Sequence, residues 1–139
     1  MKQFDIYIDG ASKGNPGHAG IGAIICQGQE VLKNISCYIG KATNNFAEYT
    51  ALIYALEEAL ILKGKNLKIY TDSQLLSRQM NKEYKVKHPS IIVLHQRAMH
   101  LVSAFEKVNI IHLSREKNSG ADKLANKAIK EALNKITGL

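Results

Sequence analysis

The feature that most restricts the fold is a short alternating strand that runs into a glycine-rich loop. Apolar side chains at positions 4, 6 and 8 alternate with more polar neighbours, which predicts a strand with one buried face. Asp9 follows at once, and residues 10–17 contain three glycines and Pro16. Glycine allows a sharp turn and the close approach of another molecule. We therefore expect a carboxylate at the end of a buried strand, although an Asp that opens an ordinary turn is the alternative for this position alone.

The remaining chain follows the order β-β-β-α-β-α-α-β-α. Three strands with short connections favour an antiparallel meander, whereas strands joined through helices need parallel pairing and a right-handed crossover. We expect an α/β fold with a mixed five-stranded sheet and helices on both faces. The predicted strands cover residues 4–8, 20–26, 31–39, 67–71 and 108–113, and the predicted helices cover residues 45–63, 74–80, 90–107 and 121–136.

Length and charge limit the function classes. The 139 residues suit one domain with its own core, so we expect residues 1–139 to form a single domain. A hydrophobic content of 45% favours a globular fold over disorder. The formal net charge of +7 suits a polyanionic partner, although many basic proteins bind no nucleic acid. A loose basic cluster contributes to this charge and consists of Lys82, Lys85, Lys87 and His88.

We expect a cytoplasmic protein that does not span a membrane. No stretch approaches the ~18 apolar residues of a membrane span, and the first residues lack the charged and then apolar order of a signal peptide. Cys26 and Cys37 have no CxxC spacing, so a zinc site is not expected. Free thiols in a reducing compartment are the default, with a disulfide between adjacent strands as the alternative.

Four carboxylates stand at the ends of predicted elements. Asp9 and Asp72 end the first and fourth strands, and Glu48 and Asp122 lie in the first turns of two helices. Each has a structural alternative: a capping box between Asn45 and Glu48, a helix cap at Asp72, or a favourable helix N-terminus at Asp122. As a cluster, however, they would raise one another's pKa and would ionise easily only around hard cations such as Mg²⁺ or Mn²⁺. Two such ions ~4 Å apart serve phosphoryl displacement.

Four motifs then occur in a recognisable order. They are DGASKGNPG at 9–17, TNNFAE at 43–48, YTDS at 70–73 and NSGADKLA at 118–125. Through them the sequence resembles type 1 ribonuclease H over nearly its whole length. The resemblance implies a ribonuclease H-like fold with strand order 3-2-1-4-5, and metal-dependent cleavage of the RNA strand of RNA–DNA hybrids to 5′-phosphate and 3′-hydroxyl products. The implied catalytic ligands of two Mg²⁺ or Mn²⁺ ions are Asp9, Glu48, Asp72 and Asp122.

The resemblance also implies substrate contacts. Amides and hydroxyls suit the wide, shallow groove of such a hybrid, which is recognised by shape and not by base sequence. The backbone of Gly10 and the side chain of Glu48 are expected near a 2′-hydroxyl of the RNA. The other expected contacts are Asn15, Thr43, Asn44, Asn45, Ser73, Gln74, Arg115 and Asn118.

Two departures from many bacterial members place the sequence with an archaeal-like branch. The chain lacks their glycine-rich loop with a His before the last Asp, and an Arg-Glu-x-Asn run occupies that place. Arg115 is therefore expected to assist on the phosphate side, with a plain surface charge as the alternative, and His112 inside the fifth strand is expected to be structural. The chain also lacks the basic, Trp-rich protrusion and contains no Trp.

The missing protrusion predicts modest hybrid affinity, because each lost phosphate contact weakens binding and flattens its salt dependence. It also leaves cleavage of double-stranded RNA open as an alternative activity. A non-catalytic nucleic-acid-binding domain of the same fold is a further alternative, although such a domain has no need of a repulsive acidic cluster. We expect a monomer without an obligate protein partner.

Overall fold

The computed structural model describes residues 2–138, and these follow the predicted order of elements. No helix in this range combines the length and apolar character needed to cross a membrane. A short 3-10 turn, Arg115–Asn118, precedes the last helix. The strands are β1 (Gln3–Lys13), β2 (Gly17–Gln27), β3 (Glu30–Ala42), β4 (Asn66–Thr71) and β5 (Lys107–His112), and the helices are α1 (Asn44–Ile61), α2 (Gln74–Met80), α3 (Pro89–Val102) and α4 (Ser119–Thr137).

The five strands form one mixed sheet in the order β3-β2-β1-β4-β5, which confirms the predicted topology. β1, β2 and β3 pair antiparallel, and β4 pairs parallel with both β1 and β5. Alternation places Phe4, Ile6 and Ile8 on the face covered by α1, where all three are fully buried. α3 packs on α1, and α4 covers the opposite face over β1, β2 and β3. Helices therefore lie on both faces, as expected.

β1 is longer than predicted, and Asp9 does not end it. Residues expected in the glycine loop stay in register with β2, from Gly10 opposite Ile21 to Lys13 opposite His18. The intrinsic preferences of these small residues do not favour a strand. The hydrogen bonds of the antiparallel pairing with β2 outweigh those preferences. The turn is confined to residues 14–16, where Gly14 adopts a φ of 92°. The parallel pairing with β4, in contrast, does end just before Asp9, at Ile8.

Two glycines of β2 let α4 lie directly on the sheet. A Cβ at Gly22 would stand 2.2 Å from the carbonyl oxygen of Ala121, and one at Gly20 would stand 2.6 Å from that of Ala125. Contacts this short exclude a side chain at either position. The close approach fixes the distance between the sheet and the first turn of α4, which contains Asp122.

The edge strand β3 departs from the predicted alternation. We expected Val31 on the same face as Ile35, but the pairing with β2 shifts register between Ile25 and Cys26, leaving Leu32 without a partner. Such a bulge reverses the faces beyond it. Leu32 therefore packs against the core, and Val31 is 53% exposed. Both cysteines are free thiols, in agreement with the default expectation.

Two helices end earlier than their apolar patterns suggested. α1 ends at Ile61, and Lys63 shortly after it takes the left-handed conformation with a φ of 63°. α3 ends at Val102 because the following chain leaves the helix to meet β4, with the amide of Glu106 donating to the Lys65 carbonyl at 3.0 Å. The turns at 103–106 thereby bring the chain into register for β5.

Candidate active site

Two of the four predicted carboxylates meet at the carboxyl end of β4. The pairing of β1 with β4 ends at Ile8 opposite Thr71, so Asp9 and Asp72 are the next residues on neighbouring chains. Asp9 is only 4% exposed, because β1 continues beyond it and α4 covers its face. Asp72 is half-buried at the point where the chain leaves the sheet for α2. Open α/β sheets commonly place their sites at this edge.

Helix α1 brings Glu48 to the same place through a contact that needs glycine. A Cβ at Gly10 would lie 2.3 Å from the Ala47 carbonyl carbon and 2.4 Å from the Glu48 nitrogen, so the helix rests on the bare strand backbone. The Gly10 amide donates a hydrogen bond to Oε1 of Glu48. The helix is capped by Thr43, whose hydroxyl accepts from the Phe46 amide at 3.2 Å. Glu48 therefore faces the strand, and the capping-box alternative is wrong.

The carboxylates form a compact cluster. Asp9, Glu48 and Asp72 can each offer an oxygen, with all three oxygens within 4.8 Å of one another. Asp122 lies beside this group on α4, close enough to Asp9 to perturb its pKa. Oδ1 of Asp122 also lies 3.7 Å from Nη2 of Arg115. The chain thus brings together all four acids that the sequence singled out.

Burial and mutual repulsion make the two innermost acids hard to ionise. Burial raises the pKa of Asp9 to about 8, aided by the charge of Asp72 and a hydrogen bond with Asp122, while Arg115 opposes the change. Burial also raises the pKa of Glu48 well above its ordinary value, with further contributions from Asp9 and Asp72. Oxygen donors that repel one another are suited to a small divalent cation, which restores their ionised form. The donor set therefore fits Mg²⁺ or Mn²⁺.

An open cavity of about 580 Å³ leads to the carboxylates. Six of the residues expected to contact substrate line it, namely Gly10, Asn15, Asn44, Asn45, Ser73 and Arg115. Thr43 caps α1 outside this lining, and Gln74 is an exposed residue at the start of α2. Ser73 caps α2 with its hydroxyl, which accepts from the Leu76 amide at 3.1 Å. This confirms the predicted helix start, and Asp72 is not the cap.

Asparagine side chains tie the hairpin turn to the start of α1. Oδ1 of Asn15 accepts from the Asn44 amide at 2.9 Å, and Oδ1 of Asn44 accepts from the Ser12 amide at 3.1 Å. Both bonds use the side-chain carbonyl oxygens, and neither involves the NH₂ groups of Asn15 and Asn44. The wall of the cavity is thereby fixed with its amide donors available, which suits sugar and phosphate oxygens.

Asn118 has a different place from the one expected. It is only 1% exposed, and Nδ2 donates to the Ile8 carbonyl at 2.8 Å and lies 3.4 Å from Oδ2 of Asp72. This burial leaves the side chain no surface for a substrate, so the expected substrate contact is replaced by a link between β1 and Asp72. His112 also differs from expectation, because it is the exposed last residue of β5.

Among the cavity-lining residues that sequence reasoning missed, two form a linked pair of side chains beside the acids, namely Lys13 and Asn126. Lys13 lies at the end of β1, and its Nζ donates to Oδ1 of Asn126 at 2.7 Å. Asn126 lies one helical turn after Asp122, and its Nδ2 donates to the Asp122 carboxylate at 3.2 Å. The spacing of four on a helix was a usable signal for the second contact. Nothing local joins Lys13 to a residue 113 positions away.

Comparison with known proteins agrees with this geometry. A family model described as "Reverse transcriptase-like" matches residues 7–128. The solved RNase H1 of the halophilic archaeon Halobacterium salinarum is 37% identical, with a TM-score of 0.90, and the match covers 93% of this chain and 98% of that one. The chain belongs to the ribonuclease H family. Its likeness to an archaeal member also agrees with the expected archaeal-like branch.

Two further relatives of this ribonuclease H family member are a protein solved with a bound hybrid and a longer, bifunctional protein. LC11-RNase H1, isolated from compost and solved in complex with an RNA/DNA hybrid, is 40% identical with a TM-score of 0.89, covering 94% of this chain and 99% of that one. The bifunctional protein Rv2228c of Mycobacterium tuberculosis is 41% identical over 91% of this chain. The chain spans about a third of that longer protein, 35% of its length.

Proposed function

We propose that this protein is a metal-dependent endoribonuclease that cleaves the RNA strand of RNA–DNA hybrids. The observation that carries the proposal is the convergence of Asp9, Glu48 and Asp72 within 4.8 Å of one another. They lie at the inner end of an open cavity that is also lined by amide side chains. The membership in the ribonuclease H family and the likeness to a relative solved with an RNA/DNA hybrid support the same substrate.

In this proposal the four carboxylates Asp9, Glu48, Asp72 and Asp122 hold two Mg²⁺ or Mn²⁺ ions. Bound ions of this kind supply an activated water and stabilise the leaving oxygen of a phosphodiester, giving 5′-phosphate and 3′-hydroxyl ends. The buried site keeps the acids close together before any cation binds. Because the pKa values of Asp9 and Glu48 are raised, cation binding releases protons from these two side chains.

The chain's other groups position the RNA strand. The Gly10 backbone and the Glu48 side chain lie together and are proposed to meet a 2′-hydroxyl, which distinguishes RNA from DNA. The NH₂ groups of Asn15, Asn44 and Asn45 are proposed to donate to sugar and phosphate oxygens. Arg115 is 80% exposed beside Asp122 and is proposed to attract the phosphate. The remaining proposed contacts are Ser73, which lines the cavity, and Thr43 and Gln74, which lie outside its lining.

Hydrolysis of a labelled RNA–DNA hybrid in Mg²⁺ or Mn²⁺ tests this proposal, with RNA–RNA and DNA–DNA duplexes alongside. Asp9→Asn should abolish cleavage, because it removes a ligand while preserving the shape of the side chain. Asp5→Asn is a matched control on the same strand, away from the cavity, and should cleave like the parent. If Asp9→Asn cleaves as fast as the parent, the assignment of the metal site is wrong.

Cleavage of double-stranded RNA is a second proposed activity. The observation that favours it is the short connection between α2 and α3, which holds only residues 81–88 and no protruding element. A smaller contact area on the second strand weakens discrimination between DNA and RNA there. The RNA–RNA duplex in the same assay measures this activity directly.

We further propose that the protein acts as a monomer in the cytoplasm. The free thiols of Cys26 and Cys37 suit a reducing compartment. The four proposed ligands Asp9, Glu48, Asp72 and Asp122 all belong to one chain and lie together in it, so a single copy supplies the whole set. Sedimentation of the purified protein measures its oligomeric state.

A further inference from the structure

Asp122 is held differently from the other three acids. Asp9, Glu48 and Asp72 are set by strands, by backbone contacts and by buried neighbours, whereas Asp122 lies on the outer side of the cluster with 29% of its side chain exposed. An exposed carboxylate on a helix samples several rotamers unless a partner fixes it. Besides Asp9, two neighbours contact it, namely Arg115 and Asn126, and both reach its Oδ1.

The contact with Asn126 is part of a chain of hydrogen bonds. Nδ2 of Asn126 donates to both the carbonyl oxygen and the carboxylate of Asp122, at 2.9 and 3.2 Å. Its Oδ1 accepts from Nζ of Lys13 at 2.7 Å. An amide can present either end to a neighbour, and the ammonium of Lys13 selects the orientation in which the NH₂ group faces Asp122. A charged donor on the amide oxygen also polarises its N–H bonds and strengthens them.

We propose that Lys13 and Asn126 are positioning residues for Asp122. Lys13 orients the Asn126 amide, and the amide holds the Asp122 carboxylate in the rotamer that faces Asp9. This inference rests on the proposed role of Asp122 in holding a divalent cation. The group that binds the cation is Asp122, and the other two act only through it.

Direct Coulomb repulsion makes the opposite prediction for Lys13. An ammonium near a cation site disfavours the cation, so removing it should tighten cation binding if charge alone matters. If Lys13 acts through Asn126, removing it should weaken cation binding instead. The sign of the change therefore separates the two accounts.

The test is calorimetric titration of Mn²⁺ into the protein without nucleic acid. Partners of this kind typically change metal affinity 10–100-fold, so Asn126→Ala should weaken Mn²⁺ binding about 10-fold. Lys13→Met keeps the aliphatic stem and should also weaken Mn²⁺ binding, by roughly 3–10-fold. Lys13→Arg retains a charged donor and should bind Mn²⁺ within about 2-fold of the parent. Lys127→Met removes an equal charge from the exposed side of α4 and should leave binding unchanged.

A double variant checks the order of action. In an Asn126→Ala background, Lys13→Met should cause no further loss, because the link it acts through is gone. Tighter or unchanged binding in Lys13→Met, or an equal loss in both backgrounds, would overturn the proposal. Lys13 is exposed, so this variant carries the test even if Asn126→Ala fails to fold, and thermal unfolding of each variant checks that the fold is kept.

Asp122→Asn separates this inference from the proposed function. If Asp122→Asn weakens Mn²⁺ binding while Asn126→Ala and Lys13→Met do not, the positioning role is wrong and the cation site stands. If Asp122→Asn binds Mn²⁺ like the parent, the role of Asp122 as a ligand is wrong, and the positioning role fails with it. Cleavage by the Asp9→Asn variant then reports on the proposed function independently.

Discussion

Without divalent cations, Asp9 should make the protein less stable as the pH rises. Burial and the charge of Asp72 raise the pKa of Asp9 from 3.8 to about 8. Between these two values the folded state keeps a proton that the unfolded chain has lost. The free energy of unfolding therefore falls with increasing pH throughout this window, and the stabilisation is fully present only below the unfolded pKa. Asn has no such proton, so Asp9→Asn should lack this part of the pH dependence.

The size of the effect follows from the two pKa values. Moving from about pH 5.5 to about pH 8 with pKa values of 3.8 and about 8 removes about 3 kcal/mol of unfolding free energy. Wild type should thus lose about 3 kcal/mol more than Asp9→Asn between these conditions. Saturating Mn²⁺ should reverse the trend in wild type, because the cation binds the ionised carboxylates and stabilises the folded state.

Urea unfolding in EDTA at the two pH values measures this difference. Comparing the two proteins cancels groups whose titration does not depend on Asp9. Glu48 is not one of them, because Asp9 contributes to its raised pKa, and the loss of that contribution in Asp9→Asn adds to the difference in the same direction. Asp5→Asn serves as the control, since it removes an acid from the same strand outside the cluster, and it should lose as much stability as wild type. Equal losses in wild type and Asp9→Asn would refute the account of a buried, repelled carboxylate.

Further predictions concern packing, a buried amide and the basic loop. Gly22→Ala should destabilise the protein by roughly 1–3 kcal/mol in urea unfolding, because its Cβ would collide with the Ala121 carbonyl, and an unchanged midpoint would show that α4 can move away. Asn118→Ala should cost about 1–3 kcal/mol of unfolding free energy and slow single-turnover cleavage, because the Ile8 carbonyl loses its buried donor; parental stability would contradict this. Replacing three loop lysines by Ala should weaken hybrid binding and flatten its dependence on salt concentration. Replacing three lysines at the opposite end of the sheet should do neither. If both triple variants show the same slope of affinity against salt, the loop does not contribute to binding. The loop triple is Lys82, Lys85 and Lys87, and the control triple is Lys63, Lys65 and Lys107.

The mixed five-stranded sheet with helices on both faces was predictable, because it depends on local patterns and on general rules of sheet connection. The strand order that makes β1 and β4 neighbours, and so brings Asp9 and Asp72 together, was implied only by the resemblance to type 1 ribonuclease H. The extension of β1 was not predictable in this way. Glycine, alanine and serine favour a loop when considered alone, and only pairing with β2 turns residues 10–13 into strand.

Side-chain contacts between distant segments were the other part that the sequence concealed. Asn118 lies in a polar stretch that predicts exposure, yet the fold turns its amide inward to a carbonyl 110 positions away. The bulge that buries Leu32 depends on a register shift in β2, which no alternation pattern in β3 reveals. The link from Lys13 to Asn126 likewise depends on how closely α4 approaches the sheet.

A crystal structure with Mn²⁺, analysed by anomalous scattering, tests the central claim most directly. The account predicts an anomalous peak within about 2.5 Å of carboxylate oxygens from Asp9, Glu48 and Asp72. Crystals saturated with Mn²⁺ that show no peak among these three side chains, or a peak only at other acids, would contradict it.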